Sequence, residues 1–112
     1  MPVTDIFPNE LRPLVPPLQS QEGIPDPIVH LKFFAGSGMS WYVTEGSPED
    51  DDFIFFGFVV GAEGEWGEFS LSELTACARS GVAIERDVHF KPERFSQIMS
   101  REHHSNTSRR NG

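Results

Sequence analysis

The chain has 112 residues, 38% of them apolar and 12% aromatic, and a formal net charge of −8. That length organises one hydrophobic core of ordinary size and excludes a second domain with a core of its own. The charge is uneven: residues 1–32 hold four acids and two bases, residues 33–78 nine acids and no Lys or Arg, and residues 79–112 four acids and seven bases. An acidic middle repels phosphate backbones, so direct nucleic-acid binding is disfavoured there and any DNA groove would come from the last third.

In chain order, the segment from Pro8 to Pro27 contains six of the nine prolines. Pro13 interrupts what Glu10, Leu11, Leu14 and Val15 would otherwise continue, so one short helical turn and then an extended arm are expected, tacked down by Leu11, Leu14 and Leu18. From Ile28 the pattern has period two: Val29, Leu31 and Phe33 face one way, His30 and Lys32 the other, as in a half-buried strand. Gly36-Ser37-Gly38 turns the chain into a returning strand over Ser40–Glu45. Its Trp41 and Val43 share one face, to which parity also assigns Glu45, and Tyr42 and Thr44 share the other.

A loop at Gly46-Ser47-Pro48 leads through Glu49, Asp50, Asp51 and Asp52 into Phe53–Val60, apolar on both faces and therefore a central strand. Gly61–Gly64 turns the chain into a fourth strand over Trp66–Phe69. Ser70-Leu71-Ser72-Glu73 fits a capping box, predicting a helix over about 71–79 that stops at Gly81. Ile84, Arg86, Val88 and Phe90 alternate with Glu85, Asp87 and His89, a fifth strand. Pro92 suits the first position of a last helix, docked by Phe95, Ile98 and Met99. The expected fold is α+β: an antiparallel meander of four or five strands with two or three short helices, the two longer ones on one face. Residues 1–101 form the single domain, with 1–27 as its Pro-rich arm, and 102–112 a disordered polar tail.

The single cysteine, Cys77, has no partner for an internal disulfide, and no cleavable leader is recognisable, so a cytoplasmic location is expected. The longest apolar run, Phe53–Val60, is far below the ~20 residues of a membrane-spanning helix.

Several strings resemble a known bacterial family: Pro16-Pro17-Leu18 followed by Gln21-Glu22-Gly23, Trp41-Tyr42-Val43-Thr44-Glu45-Gly46, Asp50 through Gly57, Trp66-Gly67 with Phe69 through Leu74, and Glu85-Arg86-Asp87. Over about residues 11–95 the chain resembles the domain-of-unknown-function family 2958. Pro13 departs from the leading helix of that pattern. The resemblance implies a bacterial protein with relatives often carried on plasmids, phages and other mobile elements. It implies no reaction, and its setting associates the chain with anti-defence or plasmid-maintenance roles.

Three readings attach to the acidic run. Glu49–Asp52, with Glu45, supply hard oxygen donors for a divalent metal, although neighbouring acids on an extended chain diverge and the spaced calcium-loop pattern is absent. As gatekeepers, Asp50–Asp52 protect the β-prone run that follows. As an acidic face with Glu63, Glu65 and Glu68, they attract a basic or DNA-binding protein. Arg86, by parity with Ile84 and Val88, is expected to be partly buried and to need a carboxylate such as Glu45.

Catalytic signals are sparse. Cys77 falls within the helix, His30 and His89 on exposed strand faces without an orienting carboxylate, and His103 and His104 in the tail. No glycine cluster is followed by Lys-Ser or Lys-Thr, and no cofactor motif is present. Trp41, Tyr42 and Trp66 read either as core or as interface anchors. The leading expectation is a non-enzymatic accessory protein using Glu45, Glu49, Asp50, Asp51, Asp52 and Arg86 against a basic partner. The alternative is a small metal-dependent hydrolase or nucleotide-handling enzyme using carboxylates.

Overall fold

A computed structural model describes residues 6–102. The histidines and arginines assigned to the tail lie outside these residues. A five-stranded antiparallel sheet of order β5-β4-β3-β2-β6 forms the centre, with β2 at Leu31–Ala35, β3 at Ser40–Glu49, β4 at Asp52–Val60, β5 at Gly64–Ser70 and β6 at Ile84–Arg86. A two-stranded ribbon pairs β1, Ile28–Val29, with β7, Glu93–Arg94. Helix α1 spans Leu71–Arg79, residues 95–102 form a second helix, α2, and Asn9–Leu14 form a 3-10 turn.

The period-two patterns produce two apolar clusters, one on each side of the sheet. Phe33, Trp41, Val43, Phe53, Phe55 and Phe69 meet Leu74 of α1, Phe7 and Val15 on one side. Phe55 is fully buried, with ring centroids of Phe7, Phe33, Phe53 and Phe69 at 5.1, 5.5, 5.2 and 5.5 Å. On the other side Tyr42 and Val29 pack with Ile98 of α2, beside Phe58, Phe90 and Phe95. The helices therefore cover opposite faces, not the single face expected, because β7 intervenes after Pro92 and returns the chain on the far side.

Both helix starts are tied down from a distance in the same way. At α1, Ser70 and Glu73 close the capping box, and Asp52 accepts from the Ser72 N–H at 3.0 Å and the Ser72 hydroxyl at 2.6 Å. At α2, Asp26 accepts from the Ser96 N–H at 2.8 Å and the Ser96 hydroxyl at 2.7 Å. These bonds satisfy first-turn amides that a helix leaves open and set a negative charge at its positive end.

Several elements depart from the sequence expectation. The strand expected from Ile28 breaks at His30, so Val29 lies in the α2 cluster while Leu31 and Phe33 lie in the α1 cluster. His30 is half-buried rather than exposed. The expected loop at Gly46-Ser47-Pro48 is strand, paired with Phe55, Ile54 and Phe53. Proline is tolerated there because β2 pairs only with residues 40–43 of β3, and beyond them the N-terminal arm takes that edge. The Gly46 N–H donates to the Pro16 carbonyl at 2.8 Å and the Leu18 N–H to the Ser47 hydroxyl at 2.9 Å. The fifth strand ends at Arg86, leaving Val88 exposed. The arm is anchored by Phe7 and Val15, both buried, while Leu14 is exposed.

Candidate functional site

The sheet face that carries α2 is covered only in part. Next to α2, one row across the strands reads Tyr42–Phe58–Trp66, and the following row reads Glu45–Phe56–Glu68. The second row owes its composition to one backbone irregularity. Val43 pairs with Gly57 and Glu45 with Phe56, so Thr44 is an extra residue in β3, a β-bulge. The bulge reverses the parity of everything after it, and Glu45 leaves the Trp41 and Val43 face to join Phe56. The bulged Thr44 is buried, and its hydroxyl donates to the Phe56 carbonyl at 3.2 Å.

Glu45 is also buried, and its carboxylate organises the arm. One oxygen accepts from the Gln19 N–H at 2.6 Å and the other from the Gln21 N–H at 2.9 Å. Gln19 sits at φ 76°, in the left-handed region, which turns the chain so that both amides aim at one carboxylate. The Gln21 side chain then clamps three backbone groups: it donates to the carbonyls of Ile28 and Thr44 at 2.8 and 2.9 Å and accepts from the Ile28 N–H at 2.7 Å. Two of the strings that carry the family resemblance, Gln21-Glu22-Gly23 and Thr44-Glu45-Gly46, thus meet in one hydrogen-bonded unit.

Between this arm and β5 lies a cleft of about 520 Å³. Its arm side is Glu22, Ile24, Pro25 and Pro27; Thr44, Glu45 and Phe56 form the floor, and Trp66 and Glu68 the far wall. Trp66 is 40% exposed, stacked on Phe56 with centroids 5.9 Å apart and braced by Phe95 of α2 at 4.8 Å. Three carboxylates line the cleft and no Lys or Arg does. Among the described residues the ion pair is Glu93–Arg101, so Glu45 has no cationic counterpart there.

The six residues singled out from sequence separate into three places. Glu45 is in the cleft. Glu49, Asp50 and Asp51 form the exposed tip of the β3–β4 hairpin, where Asp50 takes φ 54°. Asp52, next to them, is committed to α1, and hydrogen bonds from Ser72 and the Phe53 N–H lower its carboxyl below the ordinary range. Arg86 lies on the opposite face, where its Nε donates to the Ile6 carbonyl at 3.2 Å, so the expected pairing with Glu45 does not occur. Glu63 sits beyond the other end of β4, away from the hairpin tip. The acids of the middle segment therefore do not form one surface.

Of the three large aromatics that sequence left open, Trp41 and Tyr42 are buried and Trp66 lines the cleft. Phe56 and Glu22 were not singled out for the site, and Glu68 was read only as part of an acidic face with the hairpin acids. Their period-two placement was readable, but the bulge that assembles them with Glu45 carries no local signature. Among the described residues no three His, Cys, Asp or Glu side chains converge to hold a metal ion, and no helix is long and apolar enough to cross a membrane.

A family described as "Protein of unknown function (DUF2958)" matches residues 14–107, most of the chain, and the protein belongs to that family. No curated protein and no solved structure matches the chain.

Proposed function

We propose that the protein is a non-enzymatic interaction protein that holds a basic partner protein against the cleft between the arm and β5. The observation that carries this reading is the lining itself: Glu22, Glu45 and Glu68 around Phe56 and the exposed Trp66, with no basic side chain among them. A carboxylate beside an open aromatic face suits a guanidinium or ammonium group, which gains charge-assisted hydrogen bonds and a cation–π contact together. The acidic middle segment adds attraction at longer range and disfavours acidic competitors. The resemblance to proteins of plasmids and phages supports an accessory role in that setting, anti-defence among the possibilities. The metal-dependent hydrolase alternative gains no support from a convergent ligand set among the described residues.

The test is a titration with a short arginine-rich peptide, followed by Trp66 emission and calorimetry at two salt concentrations. Glu22→Lys with Glu68→Lys lowers affinity about tenfold or more, while Glu49→Lys with Asp51→Lys lowers it two- to threefold through long-range charge. Asp52 is left intact because reversing it would disturb α1. Absence of binding to the natural sequence at low salt sinks the reading, and a larger loss from the hairpin pair moves the site to the β3–β4 tip.

A further inference from the structure

Strand β5 is an edge of the five-stranded sheet, and its outer side pairs with nothing among the described residues. It is seven residues long, Gly64–Ser70, with Glu65, Trp66 and Glu68 exposed. No backbone hydrogen bond joins Gly64–Phe69 to any described segment other than β4, while Ser70 at the end of the strand caps α1, its N–H donating to the Glu73 carboxylate at 2.9 Å. The other edge, β6, has three residues, the last of them Arg86. An open edge of this length is a template for another strand, and proteins guard such edges with charge.

Here the guard is of one sign. Two copies of β5 laid side by side would bring Glu65 and Glu68 of each against the other's acids, which opposes self-pairing. The same charges favour an extended segment carrying bases. Trp66 and Glu68 point into the cleft and lie two residues apart, the spacing at which side chains of one strand share a face. A strand added to β5 would set its own alternate side chains beside them.

We infer that the basic partner docks by strand addition to the free edge of β5, as an extended segment with Lys or Arg at alternate positions. One basic side chain lies against Glu68 and the next over the Trp66 ring, while main-chain hydrogen bonds to Gly64–Phe69 supply affinity. This rests on the basic-partner reading above and adds the geometry of docking. Gly67, at the middle of the edge, has no atom within 4 Å of where a side chain would begin, so no described group obstructs the approach.

The experiment uses two probes on the full chain: a ten-residue peptide alternating arginine with threonine and valine, and the same peptide N-methylated at every interior amide. Methylation keeps the charges and removes the strand's donors. The unmethylated peptide is expected to bind at least tenfold more tightly and to slow amide hydrogen exchange across residues 64–70 by a similar factor. The Glu65→Lys, Glu68→Lys variant is expected to reverse preference, taking an alternating glutamate and threonine peptide instead. Equal binding of both arginine peptides overturns strand addition and leaves the basic-partner reading standing. Failure of both to bind overturns both. Concentration-dependent dimerisation through protected residues 64–70 also overturns the inference, with a second copy as the occupant.

Discussion

Phe55 and Phe56 are neighbours on β4 and end in opposite environments. Phe55 faces α1, is sealed from water and touches four other phenylalanine rings, whereas Phe56 forms the floor of an open cleft between two glutamates. One face of the sheet is closed by hydrocarbon and sets stability. The other is closed only where α2 lies, and the uncovered remainder is acidic and aromatic. A strand that is apolar on both faces need not be buried on both, since apolar atoms make up much of any protein surface.

The largest test of this contrast is Phe55→Ala against Phe56→Ala. Removing the buried ring should cost about 3–5 kcal/mol, enough to unfold a domain of this size under many conditions, whereas removing the cleft ring should cost about 1 kcal/mol. Denaturant unfolding measures both, and equal losses would mean the two faces are equally closed. Next comes Gly57→Ala, which probes the bulge joining the faces. A methyl there would lie 2.0 Å from the Tyr42 carbonyl oxygen, a backbone atom, so β3 and β4 must part. Overpacking of this kind costs roughly 3 kcal/mol, read as a lower denaturation midpoint.

Smaller effects come from the two aspartates that start the helices. Hydrogen bonds from Ser96 and Ser72 hold Asp26 and Asp52 below the ordinary carboxyl range. A depressed folded-state value contributes stability that is present above the unfolded value, near pH 4, and is lost as pH falls through the folded one. Asp26→Asn and Asp52→Asn should therefore each lower the melting temperature at pH 7, and the gap to the natural sequence should close in acid below about pH 4. His30, lowered by burial, adds to the same acid weakness from a higher pH downward.

The gentlest probe is Tyr42, the single tyrosine, under α2. Burial and then Glu102 push its hydroxyl up to about 12. Its contribution to stability is full below the unfolded value of about 10 and is lost as pH rises from there through 12. Absorbance near the phenolate band should stay flat to about pH 11, and ionisation near pH 10 in the folded protein would mean α2 does not seal this face.

Much of the fold was legible because local chemistry marked it. The capping box at Ser70 and Glu73 located α1 to the residue, and glycines marked the turns that precede β3 and β5. What escaped depends on long-range partners. A reading by parity put Glu45 on the wrong face because a one-residue bulge at Thr44 has no pattern of its own. The Pro48 segment was mistaken for loop because nothing nearby reveals that the arm, some thirty residues earlier, occupies the edge where proline's missing donor would have mattered. Four of the six site residues were assigned together from adjacency in sequence. Adjacency put three at the hairpin tip and did not reveal that the fourth, Asp52, serves α1.

The Asp26–Ser96 tie that starts α2 spans seventy residues, so the face under α2 closes only after the strands beneath it have been made. All six phenylalanines and tryptophans of β4 and β5 precede Ser70, and Ile98 follows 28 residues later, about 1–6 s at ordinary synthesis rates. For that interval the nascent sheet presents Tyr42, Phe58 and Trp66 without their cover, an exposure that charge beside β-prone strands serves to offset.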